Sequence, residues 1–252
     1  AMWIGLGVLA ITEWMKKKTN GTTAGILSTL LCLIVPGVMA KDGWDDHNRS
    51  HRYTPRDFAW NYLQSCAPNA IIFTNGDNET FPLWYAQEVE GVRPDIRIIN
   101  LSLLNTDWYI DQMKMKTYDS KGLPISFTHD QYVGDKLDYV RYNPLTESRT
   151  NLKSFVGFLK STDPRAQVEM QNGQKLHFFP TNKVRIPIDK NNIIKNKVVS
   201  PIFYDSIVPA IDIDIKGSAL YKNRVMMFDI IANNNWERPI YFTGGAFADE
   251  EY

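Results

Sequence analysis

The sequence predicts an α/β protein in which membrane helices precede a soluble domain of three layers around a mainly parallel sheet, with a β-containing insertion. Three observations carry this. Residues 1–40 hold two apolar stretches split by Lys16, Lys17 and Lys18, the pattern of bilayer segments joined by a short charged loop. From Thr54 to Met115 helical and strand signals alternate, and such alternation demands parallel strands with right-handed crossovers. Near the end, Tyr241-Phe-Thr-Gly-Gly245 repeats the pattern of Ile72-Phe-Thr-Asn-Gly76, an apolar run closing in Phe-Thr-x-Gly. These two read as neighbouring parallel strands with equivalent polar ends.

Composition sets the outer bounds. The chain has 252 residues, 44% hydrophobic and 22% charged, enough for one full-sized core. Its 28 basic and 28 acidic side chains cancel, which gives no electrostatic reason to expect nucleic acid. Cys32 falls in an apolar stretch and Cys66 near the end of a predicted helix, so the sequence offers neither a disulfide nor a cysteine-based metal motif.

Residues 1–11 are continuously apolar but short of the ~20 that a span needs, and read as the end of a truncated membrane helix. Trp14 and the three lysines make an interfacial loop, cytoplasmic by the positive-inside rule. Residues 22–40 are long enough to cross and deliver Lys41 onward to the other side. A signal peptide cleaved after Val38-Met39-Ala40 is the competing reading. Residues 41–53 read as a linker, where His47 and His51 stand four apart without the frame of a metal motif.

The domain then begins at 54. Thr54-Pro-Arg-Asp57 combines a capping hydroxyl, a first-turn proline and an acid, and Phe58, Ala59, Tyr62, Leu63 and Cys66 share one face of the helix that follows. Residues 70–74 form a buried strand, 75–78 a polar loop, and Thr80 caps a helix that ends before Gly91. Residues 95–104 are a second strand, after which Asn105-Thr-Asp107 caps a helix carrying Trp108, Ile110, Met113 and Met115. Residues 120–218 read as the insertion: loops, a short helix around 132–142, a helix over 152–159, and period-two strands at 175–180 and 183–188 that suit a hairpin or sheet edges. A further alternating strand covers 212–216. Residues 221–233 are helical, the last strand starts at Ile240, and Asp249-Glu-Glu-Tyr252 carries no element of its own.

A parallel sheet of this Rossmann-like kind binds ligands at the carboxyl ends of its strands. That edge collects Asn75, Gly76, Asp77, Asn78, Glu79 and Thr80 after the first strand, Asn105, Asp107 and Trp108 after the second, and Gly244 after the last. Amides, hydroxyls and carboxylates beside aromatic rings suit a sugar or peptide, with hydrogen bonds selecting hydroxyls and rings covering apolar faces. Asp77 with Asp107 also offers a carboxylate pair for acid–base work or Ca²⁺. The plainer reading makes the same residues turn formers and helix caps. No dinucleotide fingerprint, phosphate loop, nucleophile elbow or zinc set is present, and no cofactor is expected.

Several longer blocks carry a resemblance. Arg52-Tyr-Thr-Pro-Arg-Asp-Phe-Ala-Trp-Asn-Tyr-Leu63, Phe73-Thr-Asn-Gly-Asp-Asn-Glu-Thr-Phe-Pro-Leu-Trp-Tyr85, Asn100-Leu-Ser-Leu-Leu-Asn-Thr-Asp-Trp-Tyr109 and Asn234-Asn-Trp-Glu-Arg-Pro-Ile-Tyr-Phe242 resemble the extracytoplasmic part of a bacterial family of multispanning membrane proteins. That family, domain of unknown function 2723, is grouped with the protein O-mannosyltransferases of the GT-C superfamily. The resemblance implies a bacterial inner-membrane protein with its soluble domain in the periplasm. For the full-length protein it implies a lipid-phosphate-linked sugar donor and a catalytic acid in an early extracytoplasmic loop, which this chain does not contain. The partners it implies are the membrane and a protein or glycan acceptor, which the domain would recognise rather than transform. The alternative is an envelope assembly module that docks proteins through exposed aromatics among Tyr132, Tyr139, Tyr142, Phe178 and Phe179. A hydrolase would need Asp77 and Asp107 to face one cavity.

Overall fold

The computed structural model describes residues 2–169 and 175–247; the expectation for 249–252 lies outside the described residues. The chain divides into two units, Ala1–Tyr53 and Thr54–Tyr252.

In the first unit, α1 (Met2–Lys16) packs on α2 (Gly21–His47). Asn20 caps α2, its Oδ1 accepting the Thr23 N–H at 2.8 Å. The helices meet at small residues, where the Thr12 and Ser28 hydroxyls lie 2.7 Å apart beside the fully buried Ala24. Among the described residues α2 alone is long and apolar enough to cross a membrane, with a mean hydropathy of 2.0. The helix runs on through His47, so the first part of the expected linker is helical. Residues 41–47 contain no proline to stop it, and it ends where extended Asn48 donates its N–H to the Trp44 carbonyl at 2.8 Å.

The second unit is mixed α/β. In chain order it holds α3 (Thr54–Ser65), β1 (Ile71–Thr74), α4 (Asp77–Glu88), β2 (Arg97–Asn100), α5 (Asp107–Lys114), α6 (His129–Tyr132), β3 (Val140–Tyr142), β4 (Thr150–Asn151), α7 (Leu152–Leu159), β5 (Gln167–Glu169), β6 (Lys175–Phe179), β7 (Lys183–Pro187), α8 (Lys190–Lys195), β8 (Ala210–Asp214), β9 (Ala219–Leu220), α9 (Lys222–Asn234), β10 (Ile240–Phe242) and α10 (Gly244–Phe247). One sheet is wholly parallel, in the order β10-β1-β2, with Phe73 opposite both Phe242 and Ile99. The repeated Phe-Thr motif is therefore a register pair: Thr243 donates its N–H to the Phe73 carbonyl at 2.9 Å. Two mixed sheets, β5-β6-β3-β9 and β4-β7-β8, are built from residues between β2 and α9.

Side-chain alternation along the parallel strands feeds two apolar clusters. Ala70, Ile72, Ile96 and Ile98 pack with Ala59 and Leu63 of α3 and Leu83 and Ala86 of α4. Ile71, Phe73, Ile99 and Leu101 pack with Ile110 of α5, Phe155 of α7 and Met226 and Phe228 of α9. Burial of both faces explains why β1 reads as an unbroken apolar run rather than an alternating one.

Four expectations need correction. β6 and β7 are not a hairpin: β6 pairs with β3 and β5, while β7 pairs with β8 over five residues from Lys183↔Asp214 to Pro187↔Ala210. Pro180 between them lacks an N–H and turns its carbonyl to the Leu145 N–H at 2.9 Å. Residues 132–142 are not one helix, since α6 ends at Tyr132 and β3 begins at Val140. Thr80 is not a cap, because α4 starts three residues earlier. Gly76 takes φ 71° and ψ −178°, a conformation open to glycine alone, and lets the helix begin directly after the strand. Finally, Phe58 is 39% exposed and lies outside the buried face of α3.

Candidate functional site

The carboxyl ends of β1, β2 and β10 bring Thr74, Asn100 and Thr243 together, all fully buried. Buried polar groups must be paired, and these are paired through Thr80 and Glu79 of α4. The Thr80 hydroxyl donates to the Gly76 carbonyl at 2.7 Å, accepts from Asn100 Nδ2 at 3.0 Å and lies 2.6 Å from the Thr74 hydroxyl. Asn100 Oδ1 accepts the N–H groups of Ser102 (2.8 Å) and Leu103 (3.1 Å). Glu79 accepts from the Asn75 N–H at 3.0 Å and from the Thr243 hydroxyl, bridging β1 to β10. Asn75, Glu79 and Thr80 thus knit the strand ends together, and Gly244 opens α10 immediately beyond them.

The residues expected after β2 serve α9. Asn105 Oδ1 accepts the Asn223 N–H at 3.0 Å, in the first turn of α9. Asp107 receives the Gly134 N–H on Oδ2 (2.8 Å) and Lys222 Nζ on Oδ1 (2.9 Å), and Lys222, 2% exposed, also reaches Asp138 at 2.8 Å and the Gly134 carbonyl at 2.8 Å. Desolvation pushes the Asp107 carboxyl upward, but the Gly134 N–H and Lys222 outweigh it and leave the group below its ordinary value. Both Asp107 oxygens are thus engaged by Gly134 and Lys222. Among the described residues no group of three or more His, Cys, Asp and Glu side chains is placed to hold a metal ion.

Asp77 and Asn78 have a different setting. Both are exposed in the first turn of α4 and border a shallow groove of about 470 Å³ with Thr54, Pro55 and Phe58 of α3 and Phe81 and Pro82 of α4. Phe81 is 50% exposed, and its ring stacks on Trp84 with centroids 5.6 Å apart. Glu90, just past the end of α4, ties that helix to α3, accepting from Trp60 Nε1 at 2.5 Å and Arg56 Nε at 2.6 Å. Those two bonds, Trp60 first, hold the Glu90 carboxyl below the usual range. A carboxylate and a carboxamide beside two phenyl faces can hydrogen-bond hydroxyls and cover an apolar surface.

Of the expected residues, then, Asp77 and Asn78 share one groove, and Trp108, 59% exposed, lines a separate cavity with Trp84 and Arg97. Sequence reasoning missed Phe58 as a groove residue by placing it on one helix face with Ala59, Tyr62, Leu63 and Cys66. It also passed over Arg97, an arginine between Ile96 and Ile98 that is buried like the rest of its strand. The aromatics expected to form a docking patch are mostly interior: Tyr132, Phe178 and Phe179 are at most 3% exposed, and of that set only Tyr139, at 43%, counts as exposed.

Comparison with known proteins gives a consistent relation. The TMEM260-associated domain 2 family matches residues 55–252. Protein O-mannosyl-transferase TMEM260 of Mus musculus is 24% identical over 113 residues, a match that spans 45% of this chain and 16% of that protein. No solved structure matches.

Proposed function

Because the chain belongs to the TMEM260-associated domain 2 family, we propose that it is part of a membrane-embedded, protein O-mannosyltransferase-related glycosyltransferase, and that Thr54–Tyr252 binds the acceptor protein or glycan outside the cytoplasm. In the bacterial inner membrane that the sequence resemblance implies, this side is the periplasm. Any lipid-phosphate-linked sugar donor and catalytic acid belong to the rest of the protein. The helices on both faces of the parallel sheet support a three-layer, Rossmann-like core, with residues 120–218 as the insertion.

The observation that carries the reading is the groove between α3 and α4, where Asp77 and Asn78 stand exposed beside Phe58 and Phe81 on rigid elements. Its test is a binding titration of the full chain in detergent with mannosides and with short Ser/Thr peptides. The reading expects saturable binding that Asp77→Ala and Phe81→Ala each weaken about tenfold while leaving the melting temperature in place. Binding that neither substitution changes would remove the groove from consideration.

A second reading, an envelope assembly module, draws on a different surface. Ile202 is 79% exposed, Phe203 54% and Val208 52%, three large apolar side chains exposed within seven residues of sequence. It would be favoured if Ile202→Asp abolished co-purification of a partner while the groove bound no ligand.

A further inference from the structure

β2 is an edge strand, and along its free edge lies a cavity of about 350 Å³ between α4 and α5. Trp84, Trp108, Tyr109 and Tyr118 supply aromatic wall, and Arg97 lines it from the strand. Arg97 is 4% exposed. Its Nη2 donates to the carbonyls of Gln112 (3.0 Å), Met113 (3.3 Å) and Met115 (3.1 Å) at the end of α5, while Nε and Nη1 are buried without any partner. A guanidinium does not give up its charge under ordinary conditions, so the charge remains, short of acceptors.

Among the described residues no carboxylate bonds to it. Asp95 is held by Arg93, with Nε to Oδ1 at 2.8 Å and Nη2 to Oδ2 at 2.9 Å. Glu88, on the cavity wall, accepts the Tyr118 hydroxyl. The neighbouring cation adds to the imbalance: Arg238 directs its hydrogens to the carbonyls of Asn69, Ala70 and Lys121 and to the Ser120 hydroxyl. Burial first, and then Arg97, push the Arg238 pKa down to about 10. Of the cavity-lining residues Glu88 alone brings a carboxylate, set against the buried Arg97 with the second guanidinium of Arg238 close enough to feel its charge.

We propose that this cavity binds a small organic anion, a carboxylate or phosphate monoester on a flat apolar body, with the acid group meeting the unpartnered nitrogens of Arg97 and the body against the rings of Trp84 and Trp108. Both nitrogens are shut off from water, so binding is coupled to movement of wall side chains. Trp108, 59% exposed, and Tyr118, 54% exposed, have the room to move. An added peptide strand fits less well, because the edge is already partly capped: Gln87 Nε2 donates to the Ile96 carbonyl at 3.0 Å, and the Asn100 N–H donates to the Tyr109 hydroxyl at 3.0 Å. The inference is independent of the groove between α3 and α4.

The test is a titration of the full chain in detergent, followed by tryptophan fluorescence, with phenyl phosphate, phenylacetate, neutral benzyl alcohol and inorganic phosphate. Saturable binding is expected for at least one of the two aromatic anions, about tenfold tighter than for benzyl alcohol or inorganic phosphate and weakening with added salt. Which anion binds tighter distinguishes a phosphate from a carboxylate ligand. Arg97→Gln should abolish binding. Since Arg97 also ties the end of α5, Trp108→Ala is the second variant, expected to weaken binding about fivefold with an unchanged melting temperature. No saturation by either anion up to about 10 mM, benzyl alcohol binding as tightly as the anions, or a Trp108→Ala protein that binds like the parent would each overturn the proposal.

Discussion

Asp107 and Asp77 are both aspartates at the first position of a helix that follows a parallel strand, yet the structure predicts opposite consequences for their loss. Asp107→Ala takes one of two carboxylates from Lys222, which is 2% exposed, and leaves the Gly134 N–H without its acceptor. Removing one partner of a fully buried ion pair costs about 3–5 kcal/mol. Here Asp138 remains at 2.8 Å and Asp107 itself is 29% exposed, so the loss is discounted to about 2–3 kcal/mol. At ~2–4 °C per kcal/mol for a domain of this size, the melting temperature should fall by about 4–12 °C. The sign of the pH dependence follows from the lowered Asp107 pKa. Its contribution is fully present above the unfolded value of about 3.9 and is lost as pH falls through the folded one, so the gap between parent and variant should be wide at neutral pH and close below about pH 4. Asp77→Ala removes only an exposed carboxylate favoured by the helix dipole, worth about 0.3–1 kcal/mol, and should shift melting far less. Thermal unfolding of the full chain in detergent, followed by circular dichroism across pH, measures both. An Asp107→Ala protein melting within about 2 °C of the parent at neutral pH would refute the assignment of Asp107 to the Lys222 ion pair.

Three further outcomes follow from the geometry. Gly76→Ala should destabilise the fold by about 1–3 kcal/mol in a denaturant titration, since φ 71° with ψ −178° strains any L side chain although nothing crowds a methyl group there. Thr80→Val should cost about 1–3 kcal/mol by depriving Asn100 Nδ2 of its acceptor and the Thr74 hydroxyl of a partner, while Thr80→Ser, which keeps the hydroxyl, should cost less; a Thr80→Val protein at least as stable as Thr80→Ser would show that the hydroxyl network does not set the stability. Burial pushes the Cys66 thiol up to about 11, with Arg93 only partly offsetting it. At pH 8 its thiolate should be ~0.1% of the thiol, so mass spectrometry after iodoacetamide should find Cys66 modified only once the protein is unfolded.

The parallel sheet was legible in the sequence because its signals are local. A fully apolar strand, a glycine turn and a helix follow one another within residues 70–90, and the second Phe-Thr motif marks the neighbouring strand by repetition. The mixed sheets were not legible for the opposite reason. β7 owes its place to β8, whose pairing joins Lys183 to Asp214 across a long separation, and two strands on either side of Pro180 look like a hairpin until that remote partner is known. The same limit governs the candidate site. The notion that ligand residues gather at the carboxyl ends of parallel strands points to one edge of the sheet, but it does not say which polar groups the fold consumes. Thr80 and Glu79 look like loop chemistry in sequence and are committed to Asn100, Asn75 and Thr243, while Asn105 and Asp107 are committed to a helix more than a hundred residues away.

What remains for a ligand is set by that accounting. Asp77 and Asn78 stand at the start of α4, where Gly76 has turned the chain outward, and the rings beside them are exposed because α3 and α4 bury their opposite faces through Ala59, Leu63, Leu83 and Ala86. Small residues at that helix contact bring α3 and α4 together, and Glu90 fixes the two with bonds to Trp60 and Arg56. The groove is therefore an outward product of core packing, and a substitution that loosens the packing should widen it without touching a ligand-facing residue. Ala86→Leu is such a change: overpacking at a fully buried position costs about 1–3 kcal/mol and forces α4 away from α3. On the proposed reading it should weaken peptide or mannoside binding while every side chain in the groove is intact. Unaltered affinity in a folded Ala86→Leu protein would show that the spacing of Phe58 and Phe81 has no part in recognition.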